Sequence, residues 1–204
     1  NTVVISEAIP KHLFKKYGRP KIFQFKGVDE VAWIKGFNPS KSSESKKPLI
    51  VVRQMETKAA YALGKPDITE KIAQKLSSLG NVLFIARYDK SETKGLMIIK
   101  EFVDSASLVA DADLVVSVGG TIAREAALQG VPSIVISEFG RTYVNSYLSK
   151  NGFPLFIIGA LKVQSVAKKY LGKKWDVKEK LAKLENPVDI IEKLVTEKHF
   201  SKVH

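Results

Sequence analysis

From Pro48 onward the sequence alternates short β-branched runs with longer amphipathic ones, and this rhythm constrains the fold more than any other feature. Leu49-Ile50-Val51-Val52 is short and wholly apolar, the pattern of a strand buried on both faces. Ile68, Ile72, Leu76 and Leu79 then recur at helical spacing until Gly80 stops the run. Val82–Ala86 and Leu96–Ile99 are two further strands, and Ser105–Ala112 is a short helix with Asp104 or Ser105 as its cap. Leu114–Val118 is a fourth strand, Ile122–Gln129 a helix closed by Gly130, and Ser133–Ser137 a fifth strand. Thr142–Lys150 is a helix ended near Gly152, and Leu155–Ile158 a sixth strand. Strands and helices in this order predict an α/β fold, a Rossmann-like doubly wound parallel sheet with helices on both faces. The tail reads as helical over Leu161–Leu171, Val177–Leu184 and Val188–Leu194, with Asn186-Pro187 as a start signal for the last.

The first stretch is different. Val3–Ile5, Pro10–Tyr17 (ended by Gly18) and Ile22–Phe25 form one β-α-β fragment. Ser- and Lys-rich residues follow, with Pro39 and Pro48 close by. The expected organisation is therefore the end of an N-terminal α/β unit over 1–40, a linker over 41–47 and a Rossmann-like domain with a helical tail over 48–204. The first residue is Asn1 rather than Met, so the chain reads as a fragment or a processed form.

Charge narrows the function classes. The formal net charge is +12, which invites a nucleic-acid or membrane reading. The excess, however, lies on two Lys-rich flanks, +6 over residues 1–47 and +5 over 160–204, while the middle carries only +1. The flanks hold one arginine, Arg19, whereas base readout and bidentate phosphate grip favour arginine. A solvated lysine surface is the favoured reading, and nucleic acid is disfavoured. There are no cysteines, which excludes a disulfide scaffold and thiolate metal sites. No apolar run approaches the ~18 residues of a membrane span, and no signal peptide opens the chain. The expectation is a cytoplasmic protein, with peripheral attraction to an anionic membrane as the role left for its charge.

The stretch richest in chemistry runs from Asp111 to Val135, through Gly119-Gly120-Thr121 and Arg124-Glu125. A strand ends, two glycines turn the backbone tightly, and a helix begins near Thr121. Its unpaired amides and positive dipole end point back across the turn, the geometry of a phosphate site. Thr121 adds a hydroxyl and can cap the helix. Glu125, one turn on, can hold a ribose diol. Arg124 can reach a phosphate or pair with Glu125. A Gly-Gly turn alone serves many strand–helix junctions; joined to Thr, Arg-Glu and a helix ending in Gly130-Val131-Pro132, it is far more specific.

This pattern resembles the nucleotide-sugar half of GT-B glycosyltransferases and of the non-hydrolysing UDP-N-acetylglucosamine 2-epimerases. It resembles more closely an uncharacterised, mainly archaeal family beside them, through Gly27-Val-Asp-Glu30, Phe37-Asn-Pro39, Val51-Val-Arg53, Ala59-Ala-Tyr61, Arg87 and the Gly119-Gly120-Thr121 block. The resemblance implies a GT-B-type C-terminal domain that binds a UDP-sugar donor. Gly119, Gly120 and Thr121 would contact the diphosphate, with Arg124 beside them, and Glu125 would hold the ribose. Arg53 and Arg87 would face the same cleft, a surface salt bridge being the equal alternative for each. Asn145 stands where close relatives would carry Asp. A lipid-linked or glycan acceptor, and an N-terminal domain or partner subunit supplying the other half, are implied partners.

A UDP-sugar 2-epimerase and a non-catalytic subunit of a two-part enzyme are the alternatives to a glycosyltransferase. No cofactor or metal is expected: His12, His199 and His204 lack metal-ligand spacing, and helix dipole with Arg or Lys can neutralise a leaving diphosphate. No residue stands out as the catalytic base. Glu7, Asp104 and Glu138 read as caps or surface groups, and Phe23, Phe25, Trp33 and Phe37 as packing aromatics.

Overall fold

A computed structural model describes residues 2–18, 20–39, 48–58, 62, 64–87, 96–99, 104–140 and 142–200. The chain groups into two compact units, 1–37 with 177–204, and 38–176. The expected linker 41–47 and the Ala59-Ala-Tyr61 segment lie outside the described residues.

In the larger unit, β3 (Leu49–Arg53), β4 (Asn81–Ile85), β5 (Met97–Ile99), β6 (Leu114–Ser117), β7 (Ser133–Ile136) and β8 (Leu155–Ile158) form one parallel sheet in the order β5-β4-β3-β6-β7-β8. The order runs outward in both directions from the β3–β6 pair, which is a doubly wound sheet. Its central strands are buried on both faces, which explains why they read as continuous apolar runs.

Alternate residues serve opposite faces. Ile50, Val52, Phe84, Val116 and Ile134 pack with Ile72, Ala73 and Leu76 of α2 (Thr69–Leu76) and Val163 and Ala167 of α7 (Val163–Tyr170). Leu49, Val51, Leu83, Ile85 and Val115 pack with Val109 of α3 (Ser105–Asp111) and Ile122 and Ala126 of α4 (Thr121–Leu128). The connection after β7 carries α5 (Ser137–Gly140) and α6 (Tyr143–Lys150).

A strap at the amino ends of β6 and β7 closes this unit. Trp175 donates its amide to the Gly130 carbonyl at 2.8 Å, and Lys174 Nζ donates to the carbonyls of Ala110 and Ala112 at the end of α3. The Asp113 carboxylate accepts the Leu49 amide at 2.7 Å, tying the start of β3 to that of β6.

In the smaller unit, β1 (Thr2–Ser6) pairs in parallel with β2 (Lys21–Phe25). The helix expected over Pro10–Tyr17 is a 3-10 turn over Lys11–Tyr17 that buries no residue, so no apolar face holds it in the α form, and Gly18 ends it at φ 83°. The unit also holds α1 (Val31–Ile34), α8 (Lys178–Ala182) and α9 (Pro187–Phe200). The Glu185 amide donates to the Lys26 carbonyl at 2.7 Å, and Lys35 Nζ donates to the Leu184 carbonyl at 2.7 Å. The segment from Val177 groups with residues 1–37 in this unit. Among the aromatics, Phe25 is buried and Trp33 is exposed. No helix of the described residues is long and apolar enough to cross a membrane.

Candidate functional site

The helices that follow β3 and β6 go to opposite faces of the sheet, α2 to one and α4 to the other. The carboxyl ends of these neighbouring strands are therefore the switch point, the place whose crevice takes ligands in open α/β sheets. Gly119 and Gly120 leave β6 there with φ 141° and 93°, and α4 begins at Thr121. Gly120 combines its φ with ψ −170°, a conformation nearly closed to residues with a Cβ. Among the described residues, no atom beyond its chain neighbours lies within 4 Å of where such a Cβ would sit. The turn thus needs glycine for its backbone angles, and the space beside it is open.

The N-cap of α4 is Gly120, without a side-chain cap, and Thr121 is the exposed first residue of the helix. Thr121 therefore stands beside the helix amides rather than capping them, and the Gly119 amide donates to Ser117 Oγ at 3.3 Å. Glu125 lies one turn on and is only 4% exposed, on the inner side of α4. Arg124 is half-buried, and its Nη1 donates to Asn145 Oδ1 at 3.1 Å. Asn145 is fully buried in the first turn of α6, where its amide donates to the capping hydroxyl of Thr142 at 3.2 Å.

Arg53 ends β3, next to β6 and one residue past the Val52–Val116 pair. Arg87 follows β4 on the other side. Burial, and then the positive charge of Arg87, lower the pKa of Arg53 below the ordinary guanidinium value, and Glu56 opposes them. Two cations thus converge at one sheet edge. The salt-bridge alternative also holds for Arg87, whose Nη1 meets Glu56 Oε2 at 3.1 Å with both side chains about one-third exposed, at 37% and 29%. Such a pair contributes little to stability.

One polar residue here escaped sequence reasoning. Gln54 is 3% exposed, and its Oε1 accepts the Arg87 amide at 2.7 Å while its Nε2 donates to Asp67 Oδ2 at 2.9 Å. Its only sequence signal is a polar residue directly after a buried strand.

Of the carboxylates read as caps or surface groups, Asp104 caps α3 and Glu138 is an exposed surface group. Asp104 accepts from the amides of Ala106 and Ser107 and from the Ser107 hydroxyl, and that hydroxyl foremost holds its pKa below the usual range. Glu138 accepts the Ala160 amide at 3.0 Å, which foremost lowers its pKa. His12 is exposed, and no group of His, Asp or Glu among the described residues is arranged to hold a metal ion.

A family described as "Protein of unknown function (DUF354)" matches residues 2–199. The chain is 26% identical over 201 residues to the uncharacterized protein MJ0665 of Methanocaldococcus jannaschii, covering 90% of this chain and 58% of that protein. It therefore spans less than two thirds of the length of that curated relative. Among solved structures it is similar to the spinosyn forosaminyltransferase SpnP, with TM-score 0.58 and 14% identity over 96% of this chain and 54% of that one. It is also similar to the Streptomyces sp. SF2575 glycosyltransferase SsfS6, solved with thymidine diphosphate, with TM-score 0.52 and 18% identity over 76% of this chain and 42% of that one. At these identities the likeness establishes the fold alone, shared with about half of each of these glycosyltransferases.

Proposed function

This chain belongs to the DUF354 family, and from that premise and the geometry of the β3–β6 crevice we propose that it is the donor-binding part of a GT-B-like glycosyltransferase, acting on a UDP-linked sugar. The observation that carries the reading is the positive-φ Gly119-Gly120 turn, which opens α4 toward unobstructed space at the crevice where Arg53 ends the neighbouring strand.

The chemistry follows from the parts. The diphosphate lies across the Gly119-Gly120-Thr121 turn, where the α4 dipole and the Thr121 hydroxyl face it. Arg53, Arg87 and Arg124 supply positive charge as an acceptor hydroxyl bonds to the anomeric carbon and gives its proton to solvent, the bond from that carbon to the diphosphate oxygen breaks and the nucleoside diphosphate leaves. Fixed donors of this kind stabilise charge where it develops, without reorganisation during the reaction. Glu125 accepts from the ribose hydroxyls, and its burial on α4 means that the ribose must approach the inner side of that helix.

Calorimetric titration of Glu125→Gln and Glu125→Ala with UDP and with inorganic diphosphate tests this assignment. Loss of a hydrogen bond to a charged group is worth about tenfold or more in affinity. UDP binding should fall by that factor in both variants while diphosphate binding stays within about twofold. Equal losses for both ligands would contradict the role given to Glu125.

A further inference from the structure

We infer that Gln54 is a positioning residue that sets Arg87 against the diphosphate, an inference that rests on the donor-binding reading above. The observation is a single buried amide that bridges three segments at the carboxyl edge of the sheet. Gln54 follows β3, and its own amide donates to the Ile85 carbonyl at 3.0 Å, continuing the β3–β4 ladder by one residue. Its Oε1 accepts the Arg87 amide at 2.7 Å, and its Nε2 donates to Asp67 Oδ2 at 2.9 Å. The orientation of the side chain is dictated by chemistry, because a backbone amide can only donate and a carboxylate can only accept. Its backbone carbonyl also accepts from Arg87 Nε at 3.3 Å.

Arg87 is therefore gripped twice by one residue, at its backbone by the Gln54 side chain and at its guanidinium by the Gln54 carbonyl. Asp67 extends the grip to α2, since its Oδ1 accepts the Thr69 amide at 2.9 Å and Thr69 Oγ1 in turn accepts the Met55 amide at 3.3 Å. An exposed arginine loses rotamer freedom when it binds an anion, and a preformed grip reduces that cost. Gln54 also follows Arg53 directly in sequence, so the spacing of the two cations depends on the same short segment.

The test uses polarity exchange on the full chain, with UDP, inorganic diphosphate and uridine as probes. Gln54→Glu keeps the acceptor for the Arg87 amide but sets a carboxylate against Asp67. Adding Asp67→Asn restores a donor at that contact and keeps an acceptor for the Thr69 amide. Gln54→Glu should weaken UDP and diphosphate by about fivefold or more, the worth of a lost hydrogen bond, and leave uridine unchanged. The double variant should recover most of that loss. In an Arg87→Met background, Gln54→Glu should have little further effect, because the two act as one unit.

Equal weakening of uridine and diphosphate, no recovery in the double variant, or an undiminished effect in the Arg87→Met background would each overturn the inference. If Arg87→Met alone leaves UDP binding unchanged, the assignment of Arg87 falls and this inference with it. If Arg87→Met weakens UDP but Gln54→Glu does not, the inference falls and the donor-site reading stands.

Discussion

Arg124 Nη1 donates to Asn145 Oδ1 at 3.1 Å, joining the first turn of α4 to the first turn of α6. The group that accepts this hydrogen bond is a neutral amide at a fully buried position. Asn145→Asp would place a carboxylate there. It would suit the amino end of α6, so folding stability should hold within about 1 kcal/mol. It would also oppose the positive field of Arg124, and UDP affinity should fall severalfold, more steeply at low salt. Titration at two ionic strengths checks this. An unchanged affinity would remove Arg124 from the anion site.

Two glycines should respond differently to alanine. Gly130 has φ 77°, and a Cβ there would come within 2.1 Å of the Trp175 carbonyl oxygen, so both backbone strain and a clash with the strap follow. Gly130→Ala should cost about 3 kcal/mol or more in denaturant unfolding. Gly120→Ala meets open space and pays for backbone angles alone, about 1–3 kcal/mol, with a loss of UDP binding larger than that of Gly130→Ala. The reverse ranking of stability would show that the strap does not hold this edge.

The larger unit was legible in the sequence because its strands are buried on both faces and its turns carry glycine. Residues such as Ile50 and Val52 announce themselves by apolarity, and Gly119-Gly120 by the absence of side chains. The partnerships at the site were not legible. Asn145 meets Arg124 from 21 residues away, only because α6 folds back beside α4. Gln54 looks like an ordinary loop residue until the β3–β4 register brings Arg87 beside it. The grouping of residues from Val177 with the first unit was hidden for a similar reason: an amphipathic helix advertises an apolar stripe but not which surface will cover it.

Acid should unfold the protein partly through two hydrogen-bonded carboxylates. The pKa values of Asp104 and Glu138 are both lowered, so their contribution is fully present above the ordinary carboxylate range and is lost as pH falls through their lower folded values. Both groups are exposed, so solvent screens the effect and the loss is modest. Asp104→Ala should cost about 1 kcal/mol at neutral pH through loss of the α3 cap, and this difference from the parent should vanish near pH ~2. Thermal unfolding across pH follows it. A difference that persists unchanged in acid would mean that the charge of the Asp104 carboxylate does not contribute.

The central claim is that the Gly119-Gly120-Thr121 turn at the β3–β6 crevice binds a nucleoside diphosphate, and ligand-dependent unfolding tests it most directly. UDP at about 100 times its dissociation constant should stabilise the fold by roughly 2.7 kcal/mol, with a smaller gain in Gly120→Ala at the same concentration. Thymidine diphosphate, in parallel, reports on the choice of base. If neither UDP nor thymidine diphosphate shifts the transition up to millimolar concentration, the donor-binding account is contradicted.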